Sequence, residues 1–257
     1  MRVIVRTLSE LCVTVGTVIL LLVVYLLFWT GVRADRAMDA QIDLLRDQWA
    51  HPHPNPTAPT APPAPAPQPS APDRPPSAGT PAATPDSASG PAAVPAPPRQ
   101  YREGRPFAIM YIPRFGFTWN KPVLEGTGTA TLKKGLGHYA GTARLGQPGN
   151  FAVAGHRRAY GDPFKDFPRL RPGDAVVLDD GVTWFTYRVD RGPYKTVPSD
   201  VEVIAALPRK SGYTRPGRYL TLTTCDPEWG HSHRLIVRAH LDSTQPVETG
   251  EPRALRR

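Results

Sequence analysis

The stretch from His51 to Arg99 carries 18 of the 32 prolines in this 257-residue chain, set among Ala, Ser and Thr. Proline fixes φ and removes a backbone donor, so neither a helix nor a sheet propagates through such a run. Its small side chains also bury too little apolar surface to offset the entropy of ordering it. Residues 51–100 are therefore expected to form a disordered, semi-extended linker, with an upper reach on the order of 150 Å at about 3.1 Å per residue. That reach suits a folded part held some way off a membrane. Whatever folds must do so on one side of the linker or the other, and the two sides differ sharply in character.

On the N-terminal side, Leu11 to Val32 run without a charge and are dominated by Val, Leu, Ile and Phe. As a helix this stretch is long enough to cross a hydrocarbon core of roughly 30 Å. It exceeds the apolar region of about 7–15 residues in a cleavable signal peptide and has no small-residue cleavage site. A retained transmembrane anchor over 11–32, after a short tail of residues 1–10, is the expectation. Arg2 and Arg6 precede the span while Arg33, Arg36 and Arg46 follow it, so charge counting is nearly balanced. A cytoplasmic N-terminus rests instead on the short leading tail and on the folded part lying beyond the span. In residues 33–50, Met38, Ile42, Leu44, Leu45 and Trp49 alternate with Asp39, Asp43, Arg46 and Asp47 at helical spacing. They are expected to form a solvated juxtamembrane helix.

On the C-terminal side, residues 101–243 amount to one domain of all-β character. Short runs rich in β-branched and aromatic residues recur between Gly, Pro and Asp: Phe107 to Ile112, Asn150 to Ala154, Asp174 to Leu178, Thr183 to Asp190, Arg218 to Thr224 and Arg234 to Leu241. That spacing fits a barrel or a sandwich. Brief helical turns are expected near Ala130 to Gly135 and Phe164 to Leu170. Residues 244–257 read as a disordered basic tail. The net charge of +9 comes from scattered arginines with no clustered stripe or RNA-binding aromatic pair, which argues against nucleic acid as a partner. An outward-facing domain that meets anionic wall polymers or lipid headgroups accounts for the charge equally well.

Of the two cysteines, Cys12 lies in the apolar span and Cys225 ends an extended run, so a disulfide between them is not expected. A free thiol outside the cytoplasm invites a chemical explanation. A thiol acts as a nucleophile only as thiolate and needs a base or cationic neighbour. His156 directly follows an apolar strand. Strand alternation places Tyr219, Thr221, Thr223 and Cys225 on one face, with Leu220, Leu222 and Thr224 on the other. In the next strand Leu235, Val237 and Leu241 form the core face. If the two strands are neighbours joined by Asp226 to His233, Arg234 comes close to Cys225 at one rim.

Thr-Leu-x-Thr-Cys at Thr221 to Cys225, Ala154-Gly155-His156 at a strand end, and an Arg nine residues after the Cys together resemble the sortase family. The resemblance extends through most of the folded domain and implies an eight-stranded sortase-type β-barrel and a cysteine transpeptidase that anchors proteins to the bacterial cell wall. It assigns Cys225 as the nucleophile that attacks a Thr–Gly carbonyl to form a thioacyl enzyme. His156 is then the proton carrier for the leaving and incoming amines, and Arg234 the stabiliser of the oxyanion or substrate carbonyl. The segment Gly137-His138-Tyr139-Ala140-Gly141-Thr142 resembles class E, which implies a Leu-Ala-x-Thr-Gly sorting signal, with Leu-Pro-x-Thr-Gly as the alternative. Tyr139 is a candidate reader of the Ala position through its hydroxyl, against the plainer role of a buried ring. Thr223 and Thr224 in the thiol motif, and His231 and His233 after it, are further candidates for substrate contact. Asp162-Pro163-Phe164 resembles the lid tripeptide of class C enzymes but follows His156 instead of preceding the barrel, and is set aside as coincidence.

The implied partners are secreted proteins bearing a C-terminal sorting signal and a peptidoglycan-precursor amine as acceptor. The implied location is the cell membrane, single-pass, with the catalytic domain outside. No cofactor is expected: Asp226, Glu228, His231 and His233 offer metal-ligand types, but on a Gly- and Pro-broken loop without a standard spacing. Two alternatives stand beside this reading. One is another wall-directed cysteine peptidase or transpeptidase, although neither a Ser-His-Gly-Cys segment nor a Cys-before-His order is present. The other is a catalytically inactive anchored stalk or binding module.

Overall fold

The computed structural model describes residues 2–51 and 101–256; the linker assignment lies outside the described residues. Eight strands close into one barrel: β1 (Pro106–Tyr111), β2 (Asn120–Glu125), β3 (Leu136–His138), β4 (Gly149–Ala154), β5 (Ala175–Asp179), β6 (Thr183–Thr196), β7 (Arg218–Asp226) and β8 (His233–Pro246). Their order around the barrel is β1-β2-β3-β4-β7-β8-β6-β5. β2 with β3 and β4 with β7 pair in parallel, and the other neighbours are antiparallel. Closure removes the sheet edges and settles the choice between barrel and sandwich in favour of the barrel.

The core follows from alternation along each strand. Ala108 and Met110 of β1, Phe151 and Val153 of β4, Leu220 and Leu222 of β7, and Leu235, Val237 and Ala239 of β8 all enter one apolar cluster. Phe164, Phe167 and Leu170, from the loop after β4, join the same cluster. Two strands escape the sequence pattern for physical reasons. β2 contains Pro122, which weakens a strand signal, and β3 is three residues long with Gly137 at its centre. β6 continues past Asp190 to Thr196 because β8, equally long, pairs with it over its whole length.

The N-terminal helix α1 runs unbroken over Arg2–Ala50, so the apolar span and the juxtamembrane segment are one 49-residue element. Within it Ile4–Tyr25 is long and apolar enough to cross a membrane, with mean hydropathy 2.2. The solvated juxtamembrane reading is corrected: Ala34, Met38, Ile42 and Leu45 form a buried stripe. Ile42 and Leu45 pack on Ile109, with Trp49 and Tyr111 at the margin. The reason lies in β1, whose outward face carries Ile109 between the inward Ala108 and Met110 and needs a cover. At the other end, residues 244–256 are not a disordered tail. β8 extends to Pro246, and 3-10 turns at Val247–Thr249 and Arg253–Leu255 follow. Val247, Ala254 and Leu255 cover Ala175, Val177 and Trp184 on the outside of β5 and β6.

Burying a Leu or Ile contributes about 1.5–3 kcal/mol, so the pair Ile42 and Leu45 supplies about 3–6 kcal/mol of helix docking. In the full chain, the double substitution Ile42→Asp/Leu45→Asp is expected to release the helix from β1. Hydrogen exchange of residues 34–49 should accelerate while β4, β7 and β8 stay protected; unchanged protection of 34–49 would contradict the packing assignment.

Candidate active site

β4 and β7 run parallel, with Ala152 opposite Thr221 and Ala154 opposite Thr223. The alignment persists beyond β4: Gly155 N donates to Thr223 O at 3.1 Å and Thr224 Oγ1 donates to Gly155 O at 2.8 Å. His156 therefore emerges level with Cys225. β8 pairs antiparallel with β7, placing Arg234 directly opposite Cys225. Cross-strand partners project to the same face, so thiol and guanidinium lie side by side on the outside of one rim. Cys225 is half-buried there and free of any disulfide.

Each side chain of the trio has a defined environment. Arg234 Nη1 donates to the carbonyl oxygens of His231 and His233, both at 3.0 Å, which ties the guanidinium to the main chain that leads into β8. The ring of His156 lies 5.1 Å from that of Tyr160, centroid to centroid. Its Nε2 is enclosed and bonds to none of the described residues. Burial first, and then the charge of Lys133, push the imidazole below its ordinary value of 6.5. The ring is thus neutral at pH 7 and fit to accept a proton.

The residues that follow His156 and Cys225 in sequence are tied together. Arg157 Nη1 donates to Asp226 Oδ1 at 2.6 Å, and Lys195 Nζ of β6 reaches Asp226 Oδ2 at 2.6 Å. Lys195 first, with Arg157 behind it, holds the Asp226 carboxyl below the usual carboxylate range against the opposing effect of desolvation. One position further on, Arg158 pairs with Glu228 and with Asp162, and its guanidinium lies 5.0 Å over the ring of Trp229. The loop after β4 and the loop between β7 and β8 are thereby bolted together around the thiol. Sequence reasoning missed this clamp. Its signal was present in two successive arginines after the histidine and two acidic residues after the cysteine, which read as scattered charge or metal-ligand types.

The remaining candidates divide. Tyr139 is half-buried, and its hydroxyl is hydrogen-bonded to Thr223 Oγ1 at 3.0 Å, on the Cys225 face of β7. Thr224 is corrected as a substrate contact: it is buried on the opposite face of β7, with its hydroxyl bound to Gly155 O. His231 is exposed and His233 half-buried, and both serve Arg234 through main-chain carbonyls. His138, from the segment that carries Tyr139, is fully buried, with Nδ1 2.6 Å from Glu125 Oε2 and Nε2 2.9 Å from Thr142 Oγ1.

A closed eight-stranded barrel thus carries a thiol, an imidazole and a guanidinium at one rim, and comparison with known proteins gives the family of the fold. The family pattern described as sortase domain matches residues 110–242. Sortase SrtE1 of Streptomyces coelicolor is 30% identical over 257 residues, which cover 97% of this chain and 60% of that protein. The chain thus spans less than two thirds of that relative's length. The structure of sortase E from Streptomyces avermitilis is 79% identical, covering 61% of this chain and 100% of that one, with TM-score 0.58. A crystal structure of sortase E1 from S. coelicolor with a tripeptide in its active site is 35% identical, covering 61% and 99%, with TM-score 0.56. The chain belongs to the sortase family of cysteine transpeptidases. Within that family its likeness is to class E.

Two titrations check the electrostatics. The His156 imidazole, followed by NMR, should titrate below 6.5 in the parent and move upward in Lys133→Gln, since the removed charge opposed protonation; no movement would assign the shift to burial alone. For Asp226 the folded-state carboxyl lies below its unfolded value. Its stabilisation is therefore present above the ordinary carboxylate range and is lost as pH falls through the folded value. Asp226→Asn should cost about 1–3 kcal/mol at pH 7, and the gap between parent and variant in thermal melts should close as the pH drops below the ordinary carboxylate range. A pH-independent gap would remove the ionic clamp.

Proposed function

We propose that this chain is a membrane-anchored transpeptidase that opens the Thr–Gly bond of a Leu-Ala-x-Thr-Gly-like sorting signal and transfers the acyl part to a cell-wall amine. The observation that carries this reading is the convergence of Cys225, His156 and Arg234 at one rim, set by the register of β4, β7 and β8. The neutral imidazole takes the thiol proton as Cys225 Sγ attacks the threonine carbonyl carbon. Negative charge gathers on the carbonyl oxygen beside the Arg234 guanidinium. As the C–N bond breaks, His156 hands that proton to the departing glycine amine and leaves a thioester on Cys225. An acceptor amine then attacks the thioester carbonyl. His156 removes its proton and returns it to the departing sulfur, which restores the enzyme.

Tyr139 supports the preference for Ala in the signal, because its hydroxyl is held by Thr223 two residues before the thiol on the same face of β7. The acceptor is read as a peptidoglycan-precursor amine and the clients as secreted proteins bearing the signal. The apolar span of α1 supports a single-pass anchor, and the barrel is read as lying outside the cell, where a cell-wall amine is met.

Quenched Leu-Ala-x-Thr-Gly and Leu-Pro-x-Thr-Gly peptides with an amine acceptor test this reading. The Ala peptide should be cleaved and ligated faster. Cys225→Ala should abolish both steps, and Arg234→Ala should lower kcat by about 10²–10³-fold, as for loss of an oxyanion donor. Cleavage that survives Cys225→Ala would exclude the transpeptidase reading, whereas faster cleavage of the Pro peptide would exclude only the Ala preference. Tyr139→Phe should narrow the ratio between the two peptides while Cys225 remains reactive.

A further inference from the structure

We infer that α1 is a rigid post that holds the barrel with its Cys225 rim facing the membrane, so that the rim rests on the lipid headgroups. This rests on the membrane-anchor reading above and goes beyond it, because it fixes which end of the barrel meets the bilayer. The register supplies the direction. Cys225 and Asp226 end β7, and Arg234 begins β8 beside them. Thr196, the last residue of β6, pairs with Arg234, and Lys121 lies at the start of β2. These residues, with His156 after β4, define one rim. Antiparallel pairing through β8, β6 and β5 puts the β5–β6 turn at Gly181 on the opposite rim.

Helix α1 touches both rims in sequence order. Asp35 pairs with Lys121 at 3.7 Å, and Asp35 and Met38 press so closely on Gly161 that a Cβ there would overlap them. Ile42 and Leu45 pack at mid-height on Ile109. Trp49 closes on Gly181, where a Cβ would overlap the indole. From Asp35 to Trp49 the helix rises about 21 Å at 1.5 Å per residue, about the height of the barrel. The end that arrives from the apolar span is the end at the Cys225 rim. The uncharged run stops at Val32, three residues before Asp35, or about 4.5 Å of rise. A headgroup layer is about 5–8 Å deep on each side of the hydrocarbon core, so the rim lies level with it.

The surface at that rim suits the position. Trp229 is 82% exposed and Tyr160 also projects from the rim, as aromatic side chains do at a bilayer interface. Lys133, whose ammonium lies 5.3 Å from the Tyr160 ring, and Lys165 are exposed and suit anionic headgroups. A cleft of about 550 Å³ between α1 and the loop after His156, lined by Asp35, Trp119, Tyr160 and Trp229 among others, opens at the same level. The described ends that flank 51–100 both belong to the far rim: Ala50 beside Trp49, and Tyr101 shortly before Glu103, which bridges Glu125 at the end of β2. The length of that segment therefore does not set the distance between membrane and barrel. A thiol held at this level meets substrates that are themselves attached to the membrane.

The test uses the full chain carrying Cys12→Ser and Cys225→Ala, reconstituted in vesicles of phosphatidylcholine and phosphatidylglycerol with a nickel-chelating lipid. Single nitroxides are placed by Val18→Cys, Trp229→Cys or Val182→Cys. The label at 18 should relax with oxygen in the acyl chains. The label at 229 should relax several-fold faster with headgroup nickel than the label at 182 in the β5–β6 turn. Adding Ile42→Asp/Leu45→Asp should abolish the contrast between 229 and 182 while the label at 18 stays in lipid. Equal relaxation at 229 and 182 with 18 in lipid would overturn the orientation alone. A label at 18 outside the acyl chains would overturn the anchor and the orientation with it.

Discussion

The parallel pairing of β4 with β7 is the constraint on which the rest of the site depends. The two strands are not adjacent in sequence: β5 and β6 lie between them, so their pairing closes a long crossover. Once Ala154 lies opposite Thr223, the bonds between Gly155 and Thr223 and between Thr224 and Gly155 carry the register on to His156 and Cys225. A slip of one residue would turn Cys225 into the core and Thr224 outward. The Arg157–Asp226 pair, completed by Lys195, reinforces that register just past the reactive residues. It does so with side chains that leave the imidazole nitrogen and the thiol uncommitted.

The outward faces of the barrel are used as fully as its interior. Ile109 is covered by α1, and Ala175, Val177 and Trp184 by the C-terminal turns. Thr221 sits beneath the 3-10 turn at Val201–Ile204, where Arg238 Nη1 donates to Thr221 Oγ1 at 2.6 Å and also to Val203 O, and Arg238 Nη2 donates to Tyr194 Oη at 2.9 Å. A small barrel buries only part of its surface by closing, and these added layers raise that share.

Most of the barrel was legible because alternation at period two is strong in β1, β4, β7 and β8, where the inward residues are mostly Leu, Val, Phe, Met or Ala, with Thr224 of β7 as an exception. It was faint in β2, broken by Pro122, and in β3, too short to show a period. The placing of Cys225, His156 and Arg234 at one rim was legible because each lies at or just beyond the end of a strand whose apolar pattern fixes its place. Helix docking was not legible. The stripe of Met38, Ile42 and Leu45 was visible, but period alone states that a face is apolar and not what it meets. The C-terminal turns were missed because Val247, Ala254 and Leu255 are too few and too scattered to form a run. Thr224 was misassigned because membership in a motif outweighed strand alternation, which already placed it on the inner face.

The proposed chemistry is tested most directly by trapping the enzyme during turnover of a Leu-Ala-x-Thr-Gly peptide without an acceptor amine and locating the adduct by mass spectrometry. The predicted result is a hydroxylamine-sensitive thioester on the fragment that contains Cys225, carrying the peptide up to its threonine, and absent in Cys225→Ala. Peptide cleavage with no adduct at Cys225, or with an adduct elsewhere that survives Cys225→Ala, would contradict it.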